Sequence, residues 1–431
     1  MKKVLKAINI HSKSMILPIL IIILAFLSIN QNLFAAKKLA PITDQTKNIP
    51  LAIPKFIPFA PEVRGVWFSF IDWEKMPSEK KAFEQEVDAV MNKCLELGLN
   101  TIFVHARSHS DAMYQSNLYP WSRFITGTQG QYPGYDPYKI FIDAAHKRGI
   151  SFHAWVNPYR VTGHLNKWEQ VCGRNPAKTY MQHNSRWVLK NKNEYYMNPA
   201  IREVRVLIVE GVKEIVERYN VDGIHFDDYF YPELEDAKAG KCFDYKEYQL
   251  SKSNLSLEEW RKNNVNQLIK EVYETIKRAK PNVYFGISPF GYITKLKSNY
   301  CYFTDIDTWL TQPGYIDYII PQLYWGFETK TSKGQPAPYA FSQVLNDWIA
   351  LKKNSKVNLY LGLALYKTCR DTKDNNKKSE WLRHNDIMKR QIEAGRATGL
   401  VSGYVFFAYN SFQDKTSNPE IKNIVSVFKK K

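Results

Sequence analysis

The sequence predicts an α/β chain folded as a closed (β/α)8 barrel with long strand-to-helix loops on its C-terminal face. Three observations predict it. Short apolar, β-branched runs recur eight times, with helical periodicity between them. Connections from helix to strand are short and those from strand to helix are long, which gathers the long loops at one end of a barrel. The strands also alternate an apolar set with a polar and aromatic one, as expected where helices cover one face and the barrel axis receives the other. No Gly-x-Gly-x-x-Gly follows the first strand, so nothing favours an open, doubly wound sheet.

Residues 1–36 stand apart from the repeat. Lys2, Lys3, Lys6 and Lys13 precede an apolar run over 15–28, and Ala35 and Ala36 follow, the layout of a secretory signal peptide. Leu33 and Phe34 make a poor cleavage site, so a retained membrane anchor is the alternative reading. Residues 37–61 carry Pro41, Pro50, Pro54, Pro58 and Pro61 and read as an extended linker. The barrel domain is expected over 62–412, with a C-terminal helix or tail over 413–431.

The expected strands are 63–70, 101–107, 151–157, 223–227, 283–290, 315–324, 358–366 and 403–409. A helix over 79–97 places Phe83, Val87, Val90, Met91, Cys94 and Leu95 on one face. Asn198-Pro199 reads as an N-cap followed by proline in the first helical position, opening a helix to Tyr219. Further helices fit 257–279, 304–310, 339–351 and 385–398. The inward register falls on Phe103, His105 and Arg107, on His153, Trp155 and Asn157, on His225 and Asp227, on Gln322 and Tyr324, and on Tyr360 and Tyr366. Polar and aromatic groups from five strands thus converge at the loop-rich end, which predicts a binding cleft there.

The chain has 431 residues, 44% hydrophobic, enough for a large core. Five widely spaced cysteines, Cys94, Cys172, Cys242, Cys301 and Cys369, give neither a zinc pattern nor a disulfide framework. The net charge is +18, which suits an anionic partner such as a cell-wall glycan or lipid headgroups; a Lys-rich solvated surface explains it equally well. No nucleic-acid motif is present, and a membrane is expected as a partner only if the leader is retained.

Chemistry concentrates where the fourth strand runs into Asp227 and Asp228 among tyrosines. Carboxylates at a strand end beside aromatic rings suit cleavage of a glycosidic bond. Asp227 is the first catalytic choice, as nucleophile or charge stabiliser. Asp228 is either an acid kept protonated by its neighbour or a loop cap. Glu328, just past the sixth strand, is the rival acid, with an ordinary loop glutamate as its plainer reading. His105, Arg107, Asn157, Arg160, His225 and Gln322 are candidate hydrogen-bonding partners for sugar hydroxyls. Trp67, Trp155, Tyr229, Tyr231, Tyr324, Trp325 and Tyr366 are candidate stacking surfaces, with core packing the plainer reading of Trp67 and Trp325. No cofactor or metal is expected: there is no His-x-His pair and the last strand supplies no carboxylate. A Gly-x-Ser-x-Gly elbow is also absent.

Nine runs carry a family resemblance: 62–67 (EVRGVW), 134–137 (GYDP), 145–149 (AHKRG), 153–160 (HAWVNPYR), 221–232 (VDGIHFDDYFYP), 260–266 (WRKNNVN), 286–291 (GISPFG), 321–325 (PQLYW) and 361–366 (LGLALY). Over roughly 62–410 the chain resembles the bacterial exported glycosyl hydrolase-like 10 family, a former domain of unknown function. The resemblance implies a TIM-barrel glycosidase with relatives linked to cell-wall glycan strands. It implies that His105, Asn157, Arg160, Asp227, Asp228, Tyr229 and Tyr324 line the site. The fourth strand is also similar to the Asp-Gly-x-Arg-x-Asp run of the α-amylase superfamily. It departs from the chitinase pattern, because Tyr229 stands where that family needs Glu. The expected function is therefore an exported glycoside hydrolase acting on a polysaccharide, foremost peptidoglycan glycan strands. A non-catalytic glycan-binding barrel and a metal-dependent hydrolase or deacetylase are the alternatives.

Overall fold

The computed structural model describes residues 57–58, 60–232, 244–298, 302–353, 355–372 and 379–429. The expected leader, nearly all of the expected linker, and Cys242 and Cys301 lie outside the described residues. Eight parallel strands close into a barrel: β1 (Val63–Phe68), β2 (Thr101–Arg107), β3 (Ser151–Val156), β6 (Gly223–Phe226), β7 (Tyr284–Ile287), β8 (Tyr318–Ile319), β9 (Asn358–Leu363) and β10 (Gly403–Phe406). They pair in chain order, and β10 returns to β1, with Val63 opposite Gly403 and Val66 opposite Phe406. A separate antiparallel hairpin, β4 (Val188–Asn191) and β5 (Glu194–Met197), stands in the long connection after β3.

The helices begin where the chain offers caps. The Glu79 carboxylate accepts from the Lys81 and Ala82 amides at the start of α1 (Lys80–Glu96). Asp136 and Pro137 start α2 (Pro137–Lys147), and Asn175 and Pro176 start α3 (Pro176–His183). Asn198 does cap, accepting from the Ala200 amide, but only a turn; α4 (Arg202–Arg218) begins after Ile201. A reciprocal Ser256–Glu259 capping box opens α5 (Leu257–Ala279). Then come α6 (Ile306–Thr311), α7 (Phe341–Lys352) and α8 (Ile387–Ala397). The last helix, α9 (Asn418–Lys429), packs on α8 and sets Phe428 against Phe406 and the Arg64 guanidinium, so the eighth βα unit extends past residue 412.

The side-chain alternation reads as expected over most strands. Val63, Trp67, Phe103, Trp155, Tyr318, Ile320, Tyr360 and Val405 form one buried cluster inside the barrel. Ile102, Val104, Ala106, Phe152, Ala154, Ile224, Phe226, Leu359, Leu361 and Leu363 join the outer core under the helices. The interior is a packed core rather than a pore. A Cβ on Gly286 would come within 2.2 Å of the Tyr318 ring, and one on Gly223 within 2.2 Å of His153, so glycines on β7 and β6 make room for rings opposite.

Three expectations on strand register need correcting. The β2–β3 register shifts between His105 and Arg107, and this bulge turns Arg107 outward. Its guanidinium lies 4.3 Å from the Tyr119 ring centroid and presses on Gly211 of α4. The sixth barrel strand is regular only over Tyr318–Ile319, because Pro321 has no N–H to donate; Gln322 rejoins the sheet through isolated bridges to Phe290 and Gly362. The strand β9 ends at Leu363 and a short 3-10 turn (Leu365–Lys367) lifts Tyr366 to the rim, 42% exposed, beside Tyr324 and Phe407.

Candidate active site

The short β6 ends at Phe226, so Asp227 and Asp228 emerge at the C-terminal mouth of the barrel. A cavity of about 330 Å³ opens there, and Asp227 lines it. The Asp227 Oδ2 accepts from Trp155 Nε1 at 3.0 Å and Asn157 Nδ2 at 3.2 Å, and Oδ1 from the Tyr229 amide at 3.4 Å. These donors aim the carboxyl and favour its charged form. Burial outweighs them and raises Asp227 to about 6; Arg160 is the main force pulling it back down. Asp228 is raised further, to about 7, by burial first and by the Asp227 charge second, while a Gln322 hydrogen bond lowers it. The pair thus titrates around neutrality, and its protons belong to both carboxyls together.

Trp155 is itself held in place. Its ring stacks on His105 with centroids 3.4 Å apart. His105 Nδ1 accepts from the Phe70 amide at 3.0 Å, which puts its proton on Nε2. Burial holds His105 neutral, well below its ordinary range, and Nε2 has no partner among the described residues. His105 thus lines the cavity as a neutral ring with its Nε2 buried in the wall. Arg160 supplies the positive charge: its Nε donates to the Ser108 carbonyl at 3.1 Å, and its guanidinium lies 4.7 Å from the Tyr229 ring centroid. Trp67, Tyr229, Gln322 and Tyr324 complete the expected set that the cavity gathers.

Other expected residues stand elsewhere. His225 lies beneath the floor, accepting from Trp67 Nε1 at 3.1 Å and facing the Tyr318 hydroxyl at 3.3 Å. Asn157 supports Asp227 without lining the cavity. Tyr231 is fully buried, its hydroxyl accepting from Asn264 Nδ2 at 3.2 Å. Trp325 points outward into a separate groove with Phe290, Tyr292 and Tyr339, because it follows inward-facing Tyr324 on the opposite parity. Glu328 is exposed on the loop beyond and paired with Arg383 and His384, so it does not line the cavity as a rival acid. Arg107, turned outward by the bulge, is also absent from the site.

Sequence reasoning missed several wall residues: Ser69, Phe70 and Ile71 after β1, His109 after β2, His164 and Glu194 in the β3–α4 connection, Ser288 and Phe407. Alternation past the ends of β7 and β10 would have found Ser288 and Phe407. The cavity adjoins a second hollow of about 370 Å³ beside the hairpin, lined by residues including Asn191, Lys192, Asn193 and Tyr302; Glu194 and Tyr229 belong to both walls. Among the described residues, no group of three or more His, Cys, Asp or Glu side chains is placed to hold a metal ion. His105, His153 and His225 do not converge: they are engaged by Phe70, by Tyr318, and by Trp67 with Tyr318.

The sequence profile described as Glycosyl hydrolase-like 10 matches residues 62–382. The chain belongs to that family. It is 38% identical over 384 residues to the protein named glycosyl hydrolase YngK of Bacillus subtilis (strain 168), covering 83% of this chain and 69% of the relative. It is 31% identical over 394 residues to glycosyl hydrolase DigH of Escherichia coli (strain K12), covering 84% and 86%. Among solved structures, the glycoside hydrolase domain of PgaB (BpsB) from Bordetella bronchiseptica aligns with a TM-score of 0.59 at 14% identity, covering 86% of this chain and all of that domain. At that identity the likeness concerns the fold alone. The family member is a glycosyl hydrolase-like enzyme acting on glycans.

Proposed function

We propose that the protein is an exported glycoside hydrolase that cuts glycosidic bonds within peptidoglycan glycan strands. The observation that carries the reading is Asp227, a carboxyl held by three donors at the wall of a sugar-sized cavity flanked by Trp67, Trp155, Tyr229 and Tyr324. Raised to about 6, it is mostly ionised at neutral pH, when the anomeric carbon it faces becomes positive. Asp228, raised to about 7, retains a share of the pair's proton and keeps a second full charge from building beside the first. Tyr229, at the lip, offers an apolar face for a pyranose ring. The choice of target rests on the net charge, +18 for the whole sequence and four fewer, +14, without the four lysines of residues 1–36, which suits an anionic wall polymer, and export rests on the basic and apolar layout of residues 1–36.

The test is mass spectrometry of products released from purified peptidoglycan and from its peptide-free glycan strands. The wild type should release fragments from the strands, and Asp227→Asn should release none while still binding them. A wild type that binds strands but never cuts them would overturn the reading.

A further inference from the structure

Cleaving a glycosidic bond requires two things in two places. One group opposes positive charge at the anomeric carbon, and another gives a proton to the leaving oxygen. That oxygen lies between the sugar that stays and the sugar that departs. The proton donor therefore belongs where two sugar-sized hollows meet, across the cleft from the first carboxylate.

Such a meeting point exists. The cavity over Asp227 and the hollow beside the β4–β5 hairpin share two wall residues, Tyr229 and Glu194. Asp227 and Glu194 are the two carboxylates among the residues lining the central cavity. Glu194 opens β5, so its position is set by a hairpin rather than by a barrel strand. Its Oε2 accepts from the Tyr196 hydroxyl at 2.5 Å. Its Oε1, which makes no hydrogen bond among the described residues, lies on the side of Gly163, 3.8 Å from where a Cβ there would sit. One oxygen is thus fixed and the other is turned towards the cavity that Gly163 also lines. Asp228 lines neither hollow. The outer hollow adds Asn191, Lys192 and Asn193 at the hairpin turn, amide groups and a cation suited to a sugar that carries a carboxylate.

We propose that Glu194 is the acid/base residue of this site and that the hairpin hollow receives the departing, carboxylate-bearing sugar. The inference deepens the hydrolase reading above and rests on it. The C–O bond breaks, its electron pair stays on the oxygen, and that oxygen takes the Glu194 proton. Ionised Asp227 opposes the charge on the anomeric carbon. A water then adds its hydroxyl to that carbon and returns its other proton to Glu194. One water is consumed, and nothing is oxidised or reduced.

The test uses the full chain with two probes: peptide-free glycan strands, and a dinitrophenyl glycoside of the same sugar, whose leaving group needs no proton. Glu194→Gln should lower kcat/KM on strands by about 10²-fold or more. On the dinitrophenyl glycoside kcat/KM, which reports departure of the leaving group and not the later attack of water, should stay within about tenfold of wild type, whereas Asp227→Asn fails on both. Tyr196→Phe, which keeps the carboxyl but removes the donor that fixes it, should lower kcat/KM on strands while sparing it on the dinitrophenyl glycoside, and Lys192→Ala should raise KM on strands. Thermal melting of each variant guards against loss of fold. Equal losses of kcat/KM on both probes, in Glu194→Gln or in Tyr196→Phe, overturn the assignment. If wild type and Glu194→Gln cut strands alike, the hydrolase reading stands and this one falls; if wild type cuts neither probe, the hydrolase reading itself falls.

Discussion

Replacing Asp228 with asparagine should stabilise the protein at neutral pH. Asp228 is 5% exposed and its carboxyl is raised from 3.8 to about 7, by burial and then by Asp227. The folded state therefore holds a proton between those values that the unfolded chain releases. Stability falls as pH rises through that window, with no penalty below about 4 and the full penalty above about 7. Three units at about 1.4 kcal/mol each give roughly 4 kcal/mol. Part of that is repulsion shared with Asp227, so one substitution should recover about 2–4 kcal/mol. At about 2 cal/mol/K of unfolding entropy per residue, a barrel of this size should melt about 3–5 °C higher. Thermal melts of wild type and Asp228→Asn from pH 4 to pH 8 at fixed salt measure it. The curves should converge at pH 4 and separate towards pH 8, with the variant higher. A variant that melts lower at pH 8, or a gap that ignores pH, would refute the argument that these carboxyls are strained by desolvation and mutual charge. The acid limb of activity supplies a second reading: set by Asp227 at about 6, it should stay near that value, because Asp228 is still protonated when Asp227 ionises.

Three further outcomes are expected. Trp155→Phe removes the 3.0 Å donor to Asp227, and a hydrogen bond to a charged group worth about 1.5–3 kcal/mol should shift the acid limb up by about one to two pH units; a limb that stays put would show that the indole does not tune the carboxyl. Glu328→Gln should leave kcat within about twofold and stability within about 1 kcal/mol, because an exposed pair with Arg383 contributes little; a tenfold loss of kcat would return Glu328 to the reaction. Gly286→Ala puts a Cβ 2.2 Å from the Tyr318 ring and should lower the urea midpoint by an amount matching about 1–3 kcal/mol or more, whereas an unchanged midpoint would mean that the barrel interior is looser than it looks.

What the sequence reveals and what it hides follow from one distinction. Alternation along a regular strand is a local property, so Phe103, His105, Trp155 and Asp227 could be placed facing inward from residue order alone. Arg107 could not, because a bulge resets parity without leaving a mark in the residue types on either side. Glu328 looked available because it follows an inward-facing tyrosine; only the loop path shows it paired with Arg383 on the surface. Glu194 is the converse case. The β-prone runs on either side of Lys192 and Asn193 carry a hairpin signal, and Lys192 has a φ of 54° at the turn. That signal says nothing of where the hairpin lands, which depends on contacts such as the bridge between Arg160 and Tyr196. The final segment reads from the sequence as a helix or a tail, and its place as α9 against Phe406 and Arg64 is a long-range matter.

The bond between the opening strand and the closing one has a consequence for how the molecule is made. Val63 takes its partner from Gly403, and Glu62 is clasped by Arg396 at 2.8 Å from both of its oxygens. Until β10 arrives, one flank of β1 and one flank of β9 are raw sheet margins, able to recruit foreign strands. The ring therefore cannot be sealed while the chain is still emerging N-terminus first. Assembly has to wait for the stretch from Gly403 onward, and loss of that stretch would leave a sticky open sheet instead of a smaller working barrel.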